Sequence, residues 1–141
     1  MSYEPIRLAV ETFMQNGFVD STGAAPCPVR YGNQPFTPPD GGTWVAMSLS
    51  PVDRLDAAVG TTFKRTWMLC SFQILIPLKS SLSASNEIAD KLAALFDDVT
   101  LAYGTTGQIF FEAYKSVGNS SVAGWNMTRG QVRFRADETA A

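Results

Sequence analysis

The stretch that decides the fold covers residues 63–78 and reads FKRTWMLCSFQILIPL. Side chains alternate across a strand, so the even-numbered residues from Met68 to Leu78 form one continuous apolar face. The odd-numbered residues, among them Arg65, Trp67 and Leu69, form a mixed face. This pattern is typical of a central antiparallel strand that has one face on the core and the other face only partly covered.

Two helices are predicted around this strand. Residues 85–96 place Ile88, Leu92 and Phe96 at helical spacing, which makes a single apolar stripe. We expect this helix to lie on the even-numbered face of the long strand. Residues 4–16 form the second predicted helix, with a proline that suits the first turn and apolar residues at the same spacing.

Further strands are predicted at 28–31, 44–49, 108–117 and 125–135, and residues 99–103 are predicted to be a short strand or a turn. Residues 44–49 and the long strand would form a hairpin whose tip is the loop 50–60, and Gly118–Ser121 reads as a turn. In the last strand the apolar residues change phase, which a bulge near Arg129 and Gly130 would reconcile. The tail 136–141 is expected to fray.

The predicted fold class is α+β, a mostly antiparallel sheet of about four or five strands with an N-terminal helix and a second helix packed on one face. The 141 residues are expected to form a single domain, 1–141.

Apolar runs are too short for a membrane span, and the N-terminus has no secretory pattern. Cys27 and Cys70 could form a disulfide, although reduced cytoplasmic thiols fit better.

Composition excludes several kinds of chemistry. The chain has no histidine, which removes Ser-His-Asp and Cys-His catalysis, most zinc sites and the usual general base. It has neither a phosphate-binding glycine loop nor a Gly-x-Ser-x-Gly turn, and its carboxylates show no catalytic or metal-binding spacing. We therefore predict no enzyme activity, cofactor or metal. The net charge of −2 argues against a general nucleic-acid binder.

Two groups of charged residues are candidate contact sites. Asp53, Arg54 and Asp56 in the predicted hairpin loop are either a solvated cluster or a contact to a neighbouring molecule. Asp97 and Asp98 follow the second helix, where the helix dipole disfavours carboxylates. We expect this pair to face solvent or a cationic partner.

Aromatic and basic residues on the mixed face of the sheet, opposite the apolar face, are the other candidate contact sites. Trp67 and Trp125, together with Trp44 and Leu69, are either subunit contacts or are covered by loop 20–42 or the N-terminal helix. Arg133 and Arg135 fit pairing with carboxylates of a neighbouring subunit. The alternatives for these arginines are a solvated face or, with Arg129, a groove for nucleic acid.

Residues 31–44, YGNQPFTPPDGGTW, resemble a run found in the tail terminator proteins of tailed phages. That run is Asn-x-x-Phe-x-Pro-Pro followed by a strand that begins with an aromatic residue. The order of the later parts is similar as well: a strand ending in Leu49-Ser50-Pro51, a basic pair before a long strand, an alanine-rich helix and a final Val-Arg-Phe-Arg. The resemblance covers nearly the whole chain and departs from the family near residues 118–124.

This resemblance implies a siphovirus-type phage structural protein that forms a homohexameric ring on the finished tail tube. The ring would end tube polymerisation and offer its other side to the head–tail connector or neck. Implied partners are copies of itself, the tail tube protein and the connector, with no membrane and no sequence-specific nucleic acid, although DNA would pass through the lumen. The expected location is the head-proximal end of the virion tail, after assembly in the host cytoplasm.

Docking is expected through the hairpin tip 53–60 and the loop of Asp97 and Asp98, and subunit pairing through Arg133 and Arg135. The residues leave three other functions open: another head–tail joining protein of similar size, a small ligand-binding enzyme of the host, and a monomeric adaptor.

Overall fold

The computed structural model describes residues 4–20, 22–32, 36–37, 42–56, 63–77, 82–104, 106–122 and 124–139. Within these ranges, two helices and seven strands follow one another. In order they are α1 (Glu4–Gly17), β1 (Val29–Tyr31), β2 (Trp44–Asp56), β3 (Phe63–Pro77), α2 (Leu82–Phe96), β4 (Thr100–Tyr103), β5 (Gly107–Phe111), β6 (Lys115–Val122) and β7 (Trp125–Thr139).

The strands form one 7-stranded sheet in the order β1-β2-β3-β7-β5-β4, with β6 also paired to β7. β1 runs parallel to β2, and every other pair is antiparallel. The α+β class is therefore confirmed, but about four or five antiparallel strands was too few. The predicted strand 108–117 is in fact two strands, β5 and β6, which lie end to end along the same side of β7.

The core lies on the even-numbered face of β3, as predicted. Met68, Cys70, Phe72 and Ile74 are buried there together with the apolar stripes of both helices. The ring of Phe96 at the end of α2 lies 5.2 Å from that of Phe72, which confirms the expected position of this helix. Because α1 and α2 cover the same face, the opposite face of the sheet has no helix over it in the described part of the chain.

The predicted hairpin between β2 and β3 is confirmed, but β2 is longer than expected. It continues to Asp56, so Asp53, Arg54 and Asp56 lie in a strand and not in a loop. The register shifts between Pro51 and Asp53. Proline is tolerated on an edge, and among the described residues β1 pairs only with residues 45–47, so no described strand pairs with the other side of β2 at Pro51.

The predicted turn at Gly118–Ser121 is wrong, because these residues belong to β6. The expected bulge near Arg129 is wrong too: β7 keeps one register against β3, and the irregularity lies opposite, between Ser116 and Gly118. Near Trp125 the apolar residues of β7 stand at odd positions, because that end of the strand is covered on the face of the sheet opposite the helices. Farther along β7 they stand at even positions, which face the helices. β7 also extends through residues 136–139, which were expected to fray, and 140–141 lie outside the described residues.

Alkaline pH is expected to destabilise this core. Burial raises the pKa of the Cys27 thiol from 9.0 to about 11 and that of Tyr114 to about 12, and it also raises the pKa of Cys70. Between about pH 9 and 11 the unfolded chain then binds fewer protons than the folded chain, so the free energy of unfolding falls as pH rises. Urea midpoints at pH 7, 9 and 10.5 should decrease in that order. A midpoint that is constant or rises would contradict this, and Cys27→Ser should flatten the decrease.

Candidate assembly surface

The side of the sheet that carries no helix is called the open face here. It consists of the odd-numbered residues of β3 and β7 and the residues that pair with them in neighbouring strands. Direct cross-strand partners point to the same face, so β5 contributes Phe110, which pairs with Arg135. Trp67, Leu69 and Phe110 are all only partly buried on this face.

Two arginines of β7 place their guanidinium groups over aromatic rings of the open face. The guanidinium carbon of Arg133 is 4.4 Å from the ring centroid of Trp67, and that of Arg135 is 4.4 Å from the centroid of Phe110. Such cation–π contacts hold the two cations in fixed positions beside exposed apolar surface. Trp and Arg are also the residues most enriched among the energetically dominant contacts of protein interfaces.

A carboxylate at the end of β7 links Arg135 to one further cation, Arg65. Asp137 accepts hydrogen bonds from Arg65 through Nε at 2.8 Å and Nη2 at 3.0 Å, and from Nε of Arg135 at 3.2 Å. The bond to Asp137 is the main cause that raises the pKa of Arg65. Arg135 therefore already has a carboxylate partner within the subunit, whereas Arg133 forms no ion pair with any residue that the structure describes.

The far end of the open face is covered by the chain itself. Trp44 is buried; its ring lies 5.1 Å from Phe36, in the long loop before β2, and 6.2 Å from Trp125. The two alternatives for the aromatic residues thus apply to different ends of the sheet. The loop residue Phe36 covers Trp44, which in turn contacts Trp125, whereas Trp67 remains beside the exposed arginine Arg133.

The predicted acidic sites differ from one another in their surroundings. Asp97 and Asp98 are exposed directly after α2, which ends at Phe96 as expected. The Asp97 carboxylate accepts a hydrogen bond from the backbone N–H of Tyr114 at 2.8 Å, and Asp98 has a left-handed backbone, φ 53°. The side chains of Asp53, Arg54 and Asp56 lie outside the described part of the structure, as do residues 57–60 of the predicted tip.

A second exposed apolar surface lies on the helix side, at the edge of the sheet. The side chains of Leu8 and Phe13 on α1 and Leu101 on β4 line a groove of about 500 Å³. Leu8 is 58% exposed there. The residues that line this groove carry no charged side chain.

Sequence reasoning did not single out Phe110, Arg65 and Asp137 as contact residues, although it placed Arg65 on the mixed face of the long strand. Arg65 and Asp137 are 72 positions apart and meet only through the register of β3 against β7. The available signal was the run Arg133-Phe134-Arg135-Ala136-Asp137, which places three charged residues on one face of a strand.

Within the described ranges, no cluster of three or more Cys, Asp or Glu side chains is arranged to hold a metal ion. None of the helices in that part of the chain has the length and apolar character needed to cross a membrane.

Comparison with known proteins identifies the family. The model of a family described as phage tail terminator protein matches residues 6–131, which is most of the chain. The chain belongs to this phage tail terminator family. Members are structural proteins of the phage virion that complete the tail, and the resemblance drawn from residues 31–44 and the order of the strands is confirmed. No curated protein matches the chain.

The fold of this tail terminator is also seen in solved structures. One such structure is similar with a TM-score of 0.73, at 18% sequence identity, over 100% of this chain and 98% of that chain. At this level of identity the likeness concerns the fold alone.

Proposed function

We propose that the protein forms a six-fold ring on the end of the tail tube, stops the addition of further tube subunits and presents its other side to the head–tail connector. The ring would sit at the head-proximal end of the tail and assemble in the host cytoplasm. Membership of the tail terminator family supports the tail location. The open face is the structural observation that carries the proposal of self-assembly.

The argument for assembly begins with exposed apolar surface. Trp67, Leu69 and Phe110 are partly exposed on a sheet face that no described helix covers. Contiguous apolar surface of this kind marks an interaction site more often than a free surface. A cyclic ring repeats one contact between two different surfaces of each copy. Six such contacts hold one another in place, so each can be individually weak.

The proposed capping mechanism is a mismatch between the two sides of the ring. One side reproduces the contact that a tube subunit makes with the tube end, and the other side lacks the contact that would accept the next tube ring. Asp97 and Asp98, together with the segment that begins at Asp53, are the proposed docking sites for these partners. The exposed position of Asp97 and Asp98 at the end of α2 supports this assignment.

Growing tail tubes test the function directly. Purified tube protein should stop elongating when this chain is added in excess over tube ends, and electron microscopy should show an added ring at one end only. Parallel mixtures with empty connectors form the comparison. Tubes that keep growing at both ends would contradict the terminator role. Binding to connectors without any binding to tubes would favour another head–tail joining protein.

A further inference from the structure

The open face is strongly basic although the whole chain carries a net charge of −2. Strand registers place most of the arginines on this face. Its cations are Arg30, Arg65, Lys115, Arg129, Arg133 and Arg135. Its described carboxylates are Asp137 and Glu112, which directly follows β5 and donates its backbone N–H to the carbonyl of Arg133 at 2.8 Å. Because the chain as a whole is acidic, the remaining surface carries an excess of carboxylates.

Part of that acidic excess lies on the opposite side of the molecule. α2 buries Ile88, Leu92 and Phe96 against the sheet, so its other side faces solvent. Glu87 and Asp90 are exposed on that side. Like charges three positions apart on a helix repel each other, and carboxylates after a helix C-terminus oppose its dipole. A partner that brings cations to this surface would relieve both costs.

We propose that neighbouring copies in the ring meet head to tail, with the open face of one copy on the exposed side of α2 of the next. Arg129 and Arg133 of the first copy pair with Glu87 and Asp90 of the second. This interface rests on the proposed ring function and specifies which surfaces form its contact. A contact between two different surfaces of the same chain is the kind that closes into a ring.

A protein partner fits the open face better than nucleic acid does. Arg133 and Arg135 are stacked on rings, and Arg65 and Arg135 already share Asp137, so these guanidinium groups are held in place and are not spread along a phosphate track. Trp67, Leu69 and Phe110 between them supply apolar area that another protein surface would remove from water. Ion pairs that stay exposed to solvent contribute little to the free energy of binding, but ion pairs enclosed by such apolar area contribute more.

The charge-swap experiment tests this contact. One variant carries Arg129→Glu and Arg133→Glu, and the other carries Glu87→Lys and Asp90→Lys. Each variant alone should need at least about tenfold more protein than wild type to assemble, measured by light scattering and mass photometry. An equimolar mixture of the two, and a single chain with all four changes, should both assemble within about threefold of wild type, because every contact regains opposite charges. Circular dichroism confirms that each variant is folded.

Lys91→Glu is the matched control. It reverses one charge on the acidic side and should leave assembly unchanged or strengthen it. Either double variant alone assembling like wild type, or a mixture that stays monomeric although both partners are folded, would overturn the interface while leaving the terminator role intact. A charge-swap variant that assembles normally but no longer retains duplex DNA would assign the open face to nucleic acid. This result would also overturn the proposed interface. A wild-type chain that stays monomeric even with tube ends would instead refute the proposed ring itself.

Discussion

Phe96→Ala is expected to lower the free energy of unfolding by about 3–5 kcal/mol, a large part of the stability of a domain of this size. Phe96 is completely buried, and its ring lies 5.2 Å from Phe72, 5.2 Å from Phe111 and 5.5 Å from Phe13. It therefore joins α2 to both the sheet and α1. Removing the ring leaves a cavity among residues that belong to four different elements and cannot all move inward together.

The control for this substitution is Phe110→Ala, which removes the same side chain from the other side of the sheet. Phe110 is only partly buried and contacts the Arg135 guanidinium, so its loss should cost about 1 kcal/mol. Urea unfolding followed by far-ultraviolet circular dichroism measures both variants. Equal costs for the two, or a cost below about 1 kcal/mol for Phe96→Ala, would be incompatible with α2 packing on the even-numbered face.

The parts of the fold that could be predicted from sequence are those with a strong local period. The apolar alternation around Phe72 and the helical stripe ending at Phe96 each fix which face is buried. β6 could not be predicted this way, because its Gly, Asn and Ser residues favour turns. It is a strand because β7 offers a pairing edge beyond the end of β5, and such tertiary context outweighs local propensity.

The candidate surface was predictable in kind but not in detail. Trp67, Arg133 and Arg135 follow from alternation alone, since they stand on the face opposite to the core. Their partners depend on register between distant strands, which a single sequence does not reveal: Asp137 meets Arg65 only when β3 and β7 are aligned. The structure therefore separates Arg135, which is paired within the subunit, from Arg133, which has no ion pair among the described residues.

Trp67→Ala is expected to weaken each contact between copies by about 2 kcal/mol, which corresponds to roughly a 30-fold higher dissociation constant per contact. The indole ring is the platform on which the Arg133 guanidinium lies, so its removal both exposes Leu69 to water and frees the arginine. Sedimentation velocity over a range of concentrations, under conditions in which wild type assembles, measures the change. Trp67→Phe should weaken the contact less than Trp67→Ala does, because a smaller ring remains under the cation.

Leu8→Ala is the matched control for Trp67→Ala, since Leu8 is a large apolar residue that is 58% exposed on the helix side of the sheet, whereas Trp67 is partly buried on the open face. It should leave assembly unchanged. The urea midpoint of the monomer separates loss of assembly from loss of folding, because a variant that is folded and yet monomeric has lost only the contact. If Trp67→Ala assembled at wild-type concentrations while Leu8→Ala did not, subunit contact would have to be moved from the open face to the groove between α1 and β4.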